Sequence, residues 1–107
     1  MSDKSSSLAT AQGLLILIVP PSLEEMLVDY LLLRKDISGF TSHKVHGHGR
    51  VHGELNLSII EQVSGRQARV QFMTHAAVDD LQVLVTELKL KFRSQDIHYI
   101  LLPILAC

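Results

Sequence analysis

Cysteine is nearly absent from this chain: the single thiol, Cys107, is the last residue of the sequence, so no intrachain disulfide can hold the fold together. Tryptophan is missing and aromatics make up only 5% of the residues; Phe72 alone cannot supply the stacking platform of an RNA-binding sheet. Neither sign of charge dominates. A formal net charge of −1 over 107 residues leaves no electrostatic footprint for DNA or RNA, so no nucleic-acid partner is expected. Long apolar runs are lacking as well. Leu14–Val19 is stopped by Pro20 and Pro21, far short of the ~20 residues a membrane helix needs, so no membrane insertion is expected.

What is present is a globular composition, 47% hydrophobic and 20% charged. The opening MSDKSSSLATAQG is small and polar, without the basic start and apolar middle of a signal peptide. It reads as a flexible tail over residues 1–13 ahead of one domain over 14–107, with the cytoplasm as the expected compartment.

Taken in order, Leu14–Val19 is apolar at every position and reads as a strand buried on both faces. Ser22 followed by Glu25 has the capping-box form and predicts a helix carrying the stripe Leu23, Met26, Leu27, Tyr30 and Leu31. Arg34 and Lys35 fall where its last turn would favour cations. A second strand starts at Phe40, and Glu54–Val63 is semi-regular, with Ser64-Gly65 as a turn. A third strand alternates Ala68, Val70 and Phe72 against Arg69, Gln71 and Met73. Thr74 is the expected N-cap of a second helix, with Asp79 and Asp80 near its start and Val78, Leu81, Val85, Leu88 and Phe92 as its apolar stripe. Ile97–Leu105 reads as a last strand, with Pro103 marking an edge or a bulge near its end.

Strand-helix-strand, twice, is the ferredoxin-like βαββαβ order: an α+β fold with an antiparallel sheet and two helices on one face. The other sheet face would be apolar and bare, an aggregation hazard that a symmetric homo-oligomer removes.

The stretch Gly39–Gly53, GFTSHKVHGHGRVHG, is the candidate for function. It holds four of the six histidines (His43, His46, His48, His52) and four of the six glycines. In an extended chain His46, His48, Arg50 and His52 project to one side, and Gly47, Gly49 and Gly53 permit positive φ or close backbone approach. Neutral imidazoles at i, i+2 can converge on a transition metal (Zn, Cu or Ni). The same residues also fit a solvated arm that binds nothing specific. Arg50 with Gly47 and Gly49 would suit an anion in a nest of backbone amides, or an ordinary turn. His75 and His98 read as structural. No carboxylate pair is spaced for acid–base work and Gly-x-Ser-x-Gly is absent, so the chain is not expected to be an enzyme.

Val45, Gly47, Gly49, Arg50 and Gly53 match in order the Val-x-Gly-x-Gly-Arg-x-x-Gly pattern with which the second strand of P-II signal-transduction proteins enters its long loop. The chain therefore resembles the P-II family over most of Leu14–Leu105. The resemblance implies a trimer with sheets facing inward, and a ligand- or partner-binding role for Gly47, Gly49, Arg50 and Gly53. It also implies adenine nucleotides held by a glycine-rich connection before the last strand. Here that connection, Arg93-Ser94-Gln95-Asp96, has no glycine, so ATP is not the expected cofactor. The chain looks closer to small P-II-like proteins associated with heavy-metal efflux, which implies a regulatory role in heavy-metal resistance and a metal-efflux component as partner. The CutA divalent-cation tolerance proteins share the architecture and imply the alternative, metal binding by His46, His48 and His52.

Overall fold

The computed structural model describes residues 11–48 and 66–105. The expected tail up to residue 10, the semi-regular Glu54–Val63 stretch and the Ser64-Gly65 turn lie outside the described residues. Strand β1 runs Gln12–Val19, helix α1 Glu24–Leu32, strand β2 Thr41–His48, strand β3 Arg66–Ala77, helix α2 Val78–Lys91 and strand β4 His98–Pro103. The four strands form one antiparallel sheet in the order β2-β3-β1-β4.

β1 is central because it can bury one face against helices and still present apolar side chains on the other. Its inward set, Gly13, Leu15, Leu17 and Val19, is buried, whereas Leu14, Ile16 and Ile18 are half-buried. The expectation of burial on both faces thus holds for one face within a single chain. Gly13 is closely packed: a Cβ there would come within 3.1 Å of the Leu102 carbonyl oxygen and of Val78 Cγ2. The strand begins at Gln12, so Gln12 and Gly13, read as the end of the tail, belong to the sheet.

Pro20 and Pro21 end β1, and a single 3₁₀ turn, Pro21–Leu23, leads into α1. No side chain caps this start, so the Ser22 capping box does not form. The physical reason is position: Ser22 sits inside the 3₁₀ turn, closed by Leu23 N–H on the Pro20 carbonyl at 3.0 Å, and Leu23 takes the place flanking the helix. Leu23 in the turn and Leu27 and Leu31 in α1, spaced by four, make one buried face, while Met26 is 57% exposed. The helix ends at Leu32, so Arg34 and Lys35 fall outside its last turn.

β3 is longer than its alternating core suggested. It continues through Thr74 to Ala77 because β1 supplies partners that far, Gln12 opposite Ala77 and Leu15 opposite Thr74. Thr74 is therefore a strand residue and not a helix N-cap; it is buried, and its hydroxyl bonds the Gly39 carbonyl. α2 starts at Val78, whose N–H is taken by the Ala11 carbonyl at 2.8 Å. Asp79 and Asp80 in its first turn and Lys89 and Lys91 in its last complement the helix dipole as expected. Leu81, Leu84 and Leu88 point inward, and with Phe72, Val70 and the buried leucines of β1 and α1 they make the core.

Candidate functional site

Two features of this frame are open to a ligand or a partner: the end of the β2–β3 hairpin and the sheet face away from the helices. β2 and β3 stay in register from Thr41 opposite Met73 to His48 opposite Arg66. The strand alternation puts Lys44, His46 and His48 on the helix side of β2, and all three are exposed because the helices do not extend over this edge strand. His46 and His48 thus project together, as their spacing predicts. His43 faces the opposite way, with Val45 and Gly47.

Gly47 behaves differently from expectation. It pairs with Gln67 in regular extended backbone, without positive φ, and a Cβ would meet Arg69 Cγ and the Gln67 carbonyl at an ordinary 3.7 Å. Neither a turn nor a close approach requires glycine there. Gly49, Arg50, His52 and Gly53 lie outside the described residues, so the described part of the proposed metal set is the pair His46 and His48. Among the described residues no group of three or more potential ligands comes together.

The exposed sheet face is assembled by register. Leu14 stands between His75 and Leu102, Ile16 between Met73 and Ile100, and Ile18 between Gln71 and His98. Thr41, His43, Val45 and Gly47 extend these rows on β2. The face is apolar at its centre and turns polar where β1 ends. There Arg69 donates from Nη1 to its neighbour's Ala68 carbonyl at 2.8 Å and from Nη2 to Gln67 Oε1, and its Nη2 lies 3.7 Å from Asp96 Oδ2. This pair ties β3 to the connection before β4. His75 and His98, read from sequence as structural, are exposed on this face.

A third cluster, invisible in the sequence, fastens α1 to α2. Arg34 forks onto Asp36, Nη2 to Oδ2 at 2.6 Å and Nε to Oδ1 at 3.1 Å, and reaches Glu87 through Nη1. Tyr30 donates to Glu87 at 3.3 Å and meets the Phe92 ring edge-on at 5.9 Å, with Lys91 Nζ 5.7 Å from its centroid. The bond from Arg34 holds the Asp36 carboxyl below its ordinary value, although burial opposes the shift. Burial pushes the Tyr30 phenol up, and burial alone does the same for Tyr99. Arg34 pairs with both Asp36 and Glu87, which makes the cluster a clamp between the two helices.

Chemically, the described residues offer binding groups and no reactive constellation. Thr74 is the buried polar residue among them, and no buried side-chain nitrogen or oxygen among them lacks a partner. No helix among them is long and apolar enough to cross a membrane.

The sheet order, the two helices on one face and the paired hairpin define an α+β chain with the ferredoxin-like fold of P-II-like and CutA proteins. The chain belongs to the DUF3240 family, described as a protein of unknown function, whose model matches residues 9–107. No curated protein matches it. Among solved structures it is similar to a DUF3240 family protein from Shewanella baltica OS155, at 22% identity and a TM-score of 0.72, covering 91% of this chain and 93% of that one. It is also similar to CPII, a nitrogen regulatory PII-like protein from Thiomonas intermedia K12 bound to ADP, AMP and bicarbonate (16% identity, TM-score 0.65, 90% and 94% covered). CutA from Synechococcus elongatus PCC7942 is a further neighbour, at 16% identity and a TM-score of 0.67, with 92% and 80% covered. At these identities the likeness is one of fold.

Proposed function

We propose that the chain is a non-catalytic P-II-like regulatory protein, a cytoplasmic homotrimer. It binds a small effector or a protein partner through the connection after β2, at Gly47, Gly49, Arg50 and Gly53. It serves a heavy-metal response, with a metal-efflux component as partner. The observation that carries this reading is the pairing of β2 and β3, which holds as far as His48 and Arg66 and gives the connection between them a fixed base. A binding segment on a rigid scaffold is how this kind of fold carries function. The apolar sheet face supports self-association. An effector would act by favouring one arrangement of the connection over another, through its difference in affinity for the two.

The PII-like neighbour from Thiomonas is described with ADP and AMP bound. In this chain Arg93–Asp96 carries no glycine, which argues for an effector other than an adenine nucleotide. Native mass spectrometry of the chain with ADP, ATP and Zn²⁺, Cu²⁺ or Ni²⁺ tests the reading as a whole. Three chains per particle without nucleotide adducts is the expected result; a stable monomer would remove the trimer and most of the P-II-like reading.

The exposed, same-sided pair His46 and His48 favours a second reading, a CutA-like metal-binding protein in which His52 completes the set. Calorimetric titration with Zn²⁺ decides it. A metal site loses its heat in His46→Ala/His48→Ala and weakens as pH falls through ~6.5, since imidazolium cannot ligate. Equal heats in both proteins would eliminate it.

A further inference from the structure

Two histidines flank the apolar strand β1 on the uncovered sheet face. His75 lies opposite Leu14, which has Leu102 on its other side, and His98 lies opposite Ile18, which has Gln71 on its other side. Both imidazoles are exposed in the isolated chain. The groups around each can be read from the register. His75 has Met73 and Ala77 along β3 and Leu14 across; no carboxylate faces it on the described strands. His98 has Ile100 along β4 and Ile18 across, and Asp96, two residues upstream, is already engaged with Arg69. On this face Arg69 is the one fixed charge among the described strand residues, and Asp96 balances it; the remaining imidazole is His43 on the edge strand β2, with Gln71 and Ile18 between it and His98.

We propose that a second copy of this chain covers this face and that the contact is proton-sensitive, with His75 and His98 as the sensing groups. The inference rests on the self-association in the preceding reading and adds its control. A copy of the same chain is the occupant the face fits. Above the ordinary imidazole value of ~6.5 neither copy brings uncompensated charge to the contact, and each brings apolar rows that need covering. Protonation changes that. An imidazole pressed among leucine and isoleucine side chains loses the water that stabilises its charged form, so its pKa in the assembly falls below that in the free chain. The assembled state then binds fewer protons, and acid drives dissociation. One unit of depression corresponds to about a tenfold weaker association per site once the pH is below both values.

Sedimentation equilibrium of the full chain at pH 7.5 and 5.5 tests this, with circular dichroism at both to establish that the fold persists. The expected result is an assembly at pH 7.5 whose dissociation constant rises at least about tenfold at pH 5.5. His75→Gln/His98→Gln is expected to assemble at pH 7.5 and to lose most of that response. A wild type that assembles equally at both pH values overturns the proton sensing and leaves self-association standing. A monomer at both overturns both. A double variant that keeps the full response also overturns the assignment. If the double variant does not fold, imidazole titration of the wild-type assembly by NMR decides. His75 and His98 midpoints should fall below those of His46 and His48 on the other side of the sheet, and equal midpoints would sink the proposal.

Discussion

The Thr74 hydroxyl donates to the carbonyl oxygen of Gly39 at 2.5 Å, joining the last third of β3 to the segment that delivers the chain into β2. Thr74 is 7% exposed, so the bond is made away from water. Thr74→Val keeps the shape and leaves that carbonyl without its hydroxyl donor. The expected cost is about 1–3 kcal/mol in urea unfolding, with Thr74→Ser recovering most of it. A Thr74→Val protein as stable as the wild type would show that the bond contributes nothing net.

Glycines offer a paired comparison. Gly13→Ala forces a Cβ against the Leu102 carbonyl and Val78 at 3.1 Å, and against Leu101 Cδ1 at 3.3 Å. About 1–3 kcal/mol should be lost, the usual range for overpacking. At Gly39 a Cβ meets nothing within 4 Å, so Gly39→Ala is expected to be neutral or stabilising by about 0.4–1 kcal/mol through the unfolded chain. Thermal melts should place Gly13→Ala below the wild type and Gly39→Ala at or above it.

The Arg34–Asp36 fork predicts an acid-side loss of stability. The folded-state value of Asp36 lies below its unfolded one, so its contribution is present above ~3.9 and vanishes as pH falls through the depressed value. Asp36→Asn should be about 1 kcal/mol less stable at pH 7 and show a flatter profile below pH 4. Identical acid profiles for the two proteins would refute the assignment.

The uncovered face gives a direct test of assembly. Ile16→Glu places a carboxylate in the row between Met73 and Ile100 without touching the helix-side core. The expected outcome is a folded monomer in sedimentation, with far-ultraviolet dichroism unchanged. A variant that still assembles would direct the search to another surface.

Much of this architecture was legible because its signals are local. The alternation of β3, the prolines after β1 and the charges at the two ends of α2 each report a period, a stop or a dipole. Thr74 misled because a threonine ahead of two aspartates looks like a cap, while the actual determinant was Gln12, far away in sequence, giving Ala77 a strand partner. Leu84, fully buried, fits the three- and four-residue spacings between Leu81 and Leu88 yet is not part of the stripe expected from Val78, Leu81, Val85, Leu88 and Phe92. Met26 has helical spacing but lies about 100° around α1 from the buried Leu27, off the covered face. The Arg34–Glu87 tie spans 53 positions, a distance no spacing rule reaches. At the candidate site the shared side of His46 and His48 was readable from the period of two. Regular pairing at Gly47 was not, because glycine permits either outcome.

The strand order has a consequence for how the protein is made. β1 is flanked by β3 and β4, both from the later half of the chain, while its neighbour in sequence, β2, never touches it in the sheet. During synthesis the leucines and isoleucines of β1 leave the ribosome well before either partner strand exists. Until Arg66–Ala77 has emerged, the nascent chain carries its most apolar segment unpaired, the period in which such segments aggregate or recruit a chaperone. A fragment ending at His48 would retain β1, α1 and β2 and still have no sheet to form.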